Sequence, residues 1–134
     1  MWIGRKIRLR ALERTDLANR LVLMGVEVDV RGAYDDCTPL HWAAWMNKPK
    51  IAGVLIENGA DLEALTGEIH RNTPMGWACV AGAVEMVHLL LASGAKHEGG
   101  HLSTALSGEA GNLRKYCNPP LKNYRKIINI LAEY

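Results

Sequence analysis

Histidines, thiols and serines are the residues through which this 134-residue chain could do chemistry. The five histidines are His41, His70, His88, His97 and His101. His88, His97 and His101 form H-x8-H-x3-H, a spacing that fits no zinc pattern of paired, closely spaced ligands. The three cysteines, Cys37, Cys79 and Cys117, include no C-x-x-C pair. Their odd number suits reduced thiols in an intracellular compartment better than a disulfide framework. Cys79, set among Trp77, Ala78, Val80 and Ala81, reads as a small buried apolar residue. Ser103, Ser107, His101 and Glu109 supply the residue types of a hydrolase, but no G-x-S-x-G elbow presents a serine. Gly99-Gly100 is not followed by the G-K of a phosphate loop, so these glycines are expected in an exposed, mobile hairpin with His97 and His101. Catalysis, a metal and a cofactor are therefore not expected.

The elements that must position these residues emerge from an internal repeat, the first feature to seek in a chain of this kind. Thr38 placed on Thr73 brings Pro39 onto Pro74, Trp42 onto Trp77, Ala43 onto Ala78, Gly59 onto Gly94 and Ala60 onto Ala95, all at an offset of 35. The threonine hydroxyl can cap a helix, and proline suits its first position, where no N–H is needed. Leu40, Ala43 and Ala44 then share one face. Asn47-Lys48-Pro49 makes a turn, and Ile51, Val54, Leu55 and Ile56 give the second helix its apolar face. Gly59 and Gly94 suit the left-handed position past a helix end.

Thr38-Pro39-Leu40-His41-Trp42-Ala43-Ala44 resembles the T-P-L-H-x-A-A signature of ankyrin repeats, and Asn58-Gly59-Ala60-Asp61-Leu62 resembles their G-A-D ending. The resemblance implies an all-α solenoid of stacked antiparallel helix pairs with projecting hairpin fingers. It divides one domain, residues 1–134, into an N-terminal capping repeat (5–32), two full repeats (33–64 and 65–98) and a degenerate C-terminal cap (99–134). In that cap Thr104-Ala105-Leu106 stands where T-P-L does, and residues 124–132 supply the partner helix through Ile127, Ile128, Ile130 and Leu131. The connection between them, residues 112–123, is longer than the family's turn and holds Pro119-Pro120. It is expected to be functional or mobile, with Lys115, Tyr116 and Lys122 exposed. His41 stands at the family's histidine position, where the imidazole ties neighbouring repeats, whereas Gly76 replaces it in the next repeat.

The resemblance also implies a function, the binding of a partner protein through the concave groove and the fingers. Carried over residue by residue, the finger contacts are Tyr34, Asp35 and Cys37 in one repeat and Ile69, His70 and Asn72 in the next. The groove contacts are Trp45 and Met46, then Val80 and Ala81. Asp36 and Arg71 occupy the usual finger glycine, a departure from the pattern, and the second finger has two extra residues. An exposed Trp-Met pair is costly in water and favoured at interface cores.

Charge adds direction. Residues 21–70 hold eight acidic and three basic residues, a net of −5, against +4 over 1–20 and +3 over 71–134. The acidic middle fits a partner with a basic patch. An alternative reading uses the basic ends, Arg5, Lys6, Arg8, Arg10 and Arg14 among them, to bind nucleic acid or another acidic surface. A second alternative is a small metal-dependent enzyme around His97 and His101. The overall charge of +2 disfavours a dedicated nucleic-acid binder. With neither a leader-like apolar run nor a stretch of membrane-span length, the expectation is a monomeric, cytoplasmic protein.

Overall fold

The computed structural model describes residues 27–32, 35–68, 71–109 and 123–133. These contain six helices: α1 (Pro39–Trp45), α2 (Pro49–Glu57), α3 (Pro74–Ala81), α4 (Val84–Ala92), α5 (Gly99–Glu109) and α6 (Tyr124–Glu133). Consecutive helices pair as α1–α2, α3–α4 and α5–α6, and the pairs stack into two rows, α1-α3-α5 and α2-α4-α6. No strand occurs among the described residues.

Local chemistry sets the helix starts. Thr38 has extended backbone and its Oγ1 accepts the His41 N–H at 3.4 Å, with Pro39 next in line. Thr73 repeats the arrangement toward the Gly76 N–H at 3.2 Å, followed by Pro74. Small residues then allow the rows to close. Ala43, Ala44, Ala52, Ala78 and Ala83 are fully buried, and the larger side chains of Leu40, Met75, Met86, Val87 and Leu90 fill the space between helices. Burial of each large side chain contributes roughly 1.5–3 kcal/mol. On α6 the face Tyr124, Ile127, Ile128 and Leu131 is buried, with Ile130 at its margin, and the Tyr124 hydroxyl donates to the Val80 carbonyl at 2.7 Å.

Carboxylates link successive repeats at their outer loops. Asp29 accepts the Asp61 N–H at 3.0 Å, and Glu63 accepts the Lys96 N–H at 2.7 Å. The turns inside the repeats are linked as well. Asn47 and Gly82, 35 residues apart, both have left-handed backbone, and the Asn47 amide donates to Glu85 at 2.7 Å. That bond holds the Glu85 carboxyl below its ordinary pKa.

The last pair differs from its expected form. In the second repeat the segment between Ala60 and α3 forms a finger, whereas only residues 96–98 separate Ala95 from α5. The third finger is therefore absent, and Gly99 and Gly100 open a helix instead of a hairpin. Thr104 lies inside that helix, where its hydroxyl donates back to the Gly100 carbonyl at 2.9 Å, and it caps nothing. His101 takes the capping part, accepting the Glu98 N–H on Nδ1 at 3.0 Å. Residues 5–26 of the N-terminal cap read at 5–32, and residues 112–122 of the connection read at 112–123, lie outside the described residues.

Candidate binding face

The face is built by the first-row helices and by the segments that precede them. In the first finger, Gly32 N–H donates to the Cys37 carbonyl at 2.8 Å, and Asp35 and Asp36 turn the chain at φ +47° and +49°. In the second, Thr66 N–H donates to the Asn72 carbonyl at 3.0 Å and Arg71 N–H to the Gly67 carbonyl at 2.8 Å, with Arg71 at φ +42°. Asp36 and Arg71, the residues at the usual glycine position, thus keep the left-handed backbone that glycine adopts freely. The fingers abut, since Gly67 N–H donates to the Asp35 carbonyl at 2.6 Å. A Cβ on Gly67 would come within 2.5 Å of the Asp35 carboxylate, so any other residue there would require the Asp35 side chain to swing aside. One Arg31 Nη1 spans both fingers, donating to the Asp36 carbonyl at 3.0 Å and to the Leu65 carbonyl at 2.6 Å.

His41 is fully buried at the root of these fingers. Its Nε2 lies 2.9 Å from the Asn72 carbonyl, which can only accept, so Nε2 carries the proton. Nδ1 therefore accepts, from the Thr38 N–H at 3.1 Å and the Thr38 hydroxyl at 2.8 Å. The neutral ring uses both nitrogens, and burial drives its pKa down to about 4. The expected tie between repeats is present. In the next repeat Asn72 substitutes for the missing imidazole, its Oδ1 accepting the Thr73 N–H at 2.9 Å. That amide occupies the space of a Gly76 side chain, since a Cβ there would lie 1.8 Å from Asn72 Oδ1.

Three aromatic rings converge on Trp77, which is 7% exposed. His41, Trp42 and Trp45 meet it edge to face at centroid distances of 5.3, 5.9 and 5.7 Å. Such contacts fix ring orientation beyond what area burial gives. Trp42 and Trp45 are half-buried, and Met46 beside them is 39% exposed.

The structure sorts the residues carried over from the resemblance. Trp45, Met46, Val80 and Asp35 retain surface for a partner. Cys37 and Ala81, at 0% and 2% exposure, are core residues and have none. Cys37 turns inward because its carbonyl closes the finger and its side chain joins the apolar cluster under α1. Asn72 is half-buried and engaged through backbone and side chain in holding the two repeats. Tyr34, Ile69 and His70 lie outside the described residues. Arg31, which bridges the fingers, was not among the sequence candidates. Its position opposite two turn carbonyls leaves no spacing signature. Among the described residues no three His, Cys, Asp or Glu side chains converge to hold a metal ion. Burial lowers the His101 pKa, and the Cys79 thiol is pushed up to about 12 by burial.

Two rows of paired helices, stacked by side-chain ties between equivalent positions, define a short helical-repeat solenoid. The family model for ankyrin repeats (3 copies) matches residues 9–99, and the chain belongs to the ankyrin-repeat family. The match ends where α5 begins. Among solved structures, the chain is similar to the human ASB11 ankyrin repeat domain, with a TM-score of 0.73 and 25% identity, covering 95% of this chain and 52% of that one. Among curated proteins, it is 43% identical over 58 residues to the palmitoyltransferase Hip14 of Drosophila melanogaster, covering 43% of this chain and 9% of that protein. It is 33% identical over 86 residues to the putative ankyrin repeat protein FPV014 of fowlpox virus, covering 63% of this chain and 19% of that protein. The chain thus spans a fifth or less of these two curated relatives. Ankyrin repeats generally mediate protein–protein interaction. No described helix is long and apolar enough to cross a membrane.

Proposed function

We propose that this chain is a non-catalytic binding module that holds a partner protein in its concave groove and against its fingers. The carrying observation is the Trp45–Met46 pair. Its indole is fixed against Trp77 at 5.7 Å, and its methionine is 39% exposed. Aromatics and methionine are enriched at interface cores, and an indole already fixed buries a large area with little entropy left to lose. Val80 continues the groove in the second repeat, and Tyr34, Asp35, Ile69 and His70 belong to the finger contacts. The transferase activity named for one relative stays with that relative, of which this chain covers 9%. Buried thiols such as Cys79 suit a reducing, cytoplasmic setting, and a monomer leaves the groove open.

The partner is one with a basic patch, in keeping with the net charge of −5 over residues 21–70. Charge of this kind mainly accelerates association, while the aromatic anchor slows dissociation. Trp45→Ala is expected to weaken the complex by about 2 kcal/mol or more, the hot-spot range. Asp35→Asn should slow association and flatten its salt dependence. Stopped-flow or surface-based kinetics with the captured partner checks both. Unchanged affinity in Trp45→Ala, with the fold intact, would leave Trp45 a packing residue and remove the groove as the site.

A further inference from the structure

We propose that the start of α5 is a proton-operated joint, closed while the His101 imidazole is neutral and opened at its first turn when the ring takes up a proton from solvent. His101 is the third residue of α5, and its Nδ1 accepts the Glu98 N–H at 3.0 Å. An imidazole nitrogen accepts only through a free lone pair, so this bond exists only while Nδ1 is unprotonated. A proton on Nδ1 would set two N–H groups against each other and end the bond. The charged ring would also stand in the first turn of a helix, where unpaired backbone N–H groups already disfavour positive charge.

The sequence gives this turn little else to hold it. At α1 the same bond runs from the Thr38 N–H to His41 Nδ1 at 3.1 Å, but there it has company. The Thr38 hydroxyl accepts the His41 N–H, Pro39 presets the first helical φ, and His41 Nε2 reaches the Asn72 carbonyl. At α5 the first two helical positions are Gly99 and Gly100, glycine being the poorest helix former after proline. The His101 N–H turns to the Glu98 backbone carbonyl at 2.9 Å rather than to a side chain. The imidazole therefore does alone at α5 what several contacts share at α1.

The surroundings set where the joint works. His101 is half-buried, where His41 is fully buried. Burial lowers its pKa, Glu98 and Glu63 act against the lowering, and His97 adds to it. On α3, which packs against α5, the titratable group is the Cys79 thiol, uncharged because burial pushes its pKa up to about 12. On α6 the Tyr124 hydroxyl is bonded to the Val80 carbonyl, and Arg125, Lys126 and Glu133 are exposed, as is Lys96 ahead of α5. A pKa lowered in the closed form means that the turn has its full stability above the ordinary 6.5 and loses it as pH falls below that value. With less burial than His41 and two carboxylates near it, His101 takes its proton first on acidification. The joint then opens while the first boundary is still intact. Residues 96–98 also carry the Lys96 N–H bond to Glu63 at 2.7 Å, so opening loosens the last helix pair from the second repeat at this end, while Tyr124 holds it through Val80.

The test is a pH titration of the full chain by NMR, following the His101 ring and the amides of Glu98, Gly99, Gly100 and Thr38. Solvent exchange of the Glu98 amide, corrected for its intrinsic rate, should rise roughly three- to tenfold between about pH 7 and pH 5, with the midpoint of the His101 ring. The Thr38 amide should stay protected over the same range. His101→Gln places an uncharged acceptor at the third helical position and should keep the turn closed without pH dependence. Gly100→Ala, whose methyl meets nothing within 4 Å, should favour the helix and move the midpoint to lower pH. A Glu98 amide that stays protected while the His101 ring titrates would overturn the joint. So would an equal rise of exchange in His101→Gln, which would assign the opening to another group.

Discussion

The boundary between the first and second repeats and the equivalent position one repeat later solve the same local problem with different residues. At the first, His41 accepts the Thr38 N–H with one nitrogen and donates to the Asn72 carbonyl with the other. One side chain both caps its helix and reaches the next repeat. At the second, Asn72 takes the Thr73 N–H and the histidine position is Gly76. The cap is restored, but the imidazole's reach toward the following repeat is not. Capping and inter-repeat bonding are thus separable, and this chain has kept the first function while dropping the second.

The largest expected consequence is a dependence on pH that belongs to the first boundary. His41 has its pKa held at about 4 by burial, against an ordinary 6.5. Above pH 6.5 the ring is neutral in folded and unfolded chains alike, and its full contribution to stability is present. As pH falls from 6.5 toward 4, the unfolded chain takes up a proton that the folded one excludes. Stability should fall by roughly 3 kcal/mol over that window. His101, also lowered by burial, acts with the same sign. Urea unfolding at a series of pH values checks this, and His41→Gln should remove most of the slope.

At neutral pH, His41→Ala is expected to cost about 2 kcal/mol, since it strands the buried Thr38 N–H and leaves the Asn72 carbonyl with only the Thr66 N–H as donor. The measurement is the urea midpoint at unchanged m-value.

The second boundary should be sensitive to an added methyl group. Gly76→Ala is expected to lose about 1 kcal/mol, because its Cβ must expel the Asn72 amide from the Thr73 N–H. In an Asn72→Ala background the same change should stabilise, since alanine is favoured over glycine within a helix by about 1 kcal/mol. A double-mutant cycle by thermal unfolding decides it, and additivity would mean that Asn72 and Gly76 do not compete for space.

The smallest effect concerns the fingers. Arg71 holds φ +42° and Asp36 holds +49°. Arg71→Gly should relieve the left-handed backbone and raise stability by about 0.5–1 kcal/mol. A lower melting temperature would mean that the Arg71 side chain contributes more than its backbone costs.

Much of the fold was legible in the sequence because it rests on local chemistry repeated at a fixed offset. Thr38-Pro39 and Thr73-Pro74 mark helix starts in any setting, and the apolar face of residues 124–132 foretold α6 nearly to its ends. The start of α5 was not legible. Gly99-Gly100 reads as a turn, yet here it opens a helix that packs on α3 and α6, so tertiary packing outweighed glycine's poor helix propensity. A histidine three residues past a backbone N–H, as in Glu98 and His101, was the available signal, and it matches the Thr38–His41 pair. In the candidate site, Trp45 and Met46 were singled out by position within the repeat, and both retain exposed surface. The inward turn of Cys37 and the bridging role of Arg31 depend on the neighbouring finger, which no spacing along the chain encodes.

The most direct test of the proposed binding face is a hydrogen-exchange comparison of the full chain alone and in complex with its captured partner. Protection is expected at the finger and first-row amides, residues 35–46 and 71–81, with little change in α2, α4 and α6. A footprint confined to those second-row helices, with the first row unchanged, would contradict the account.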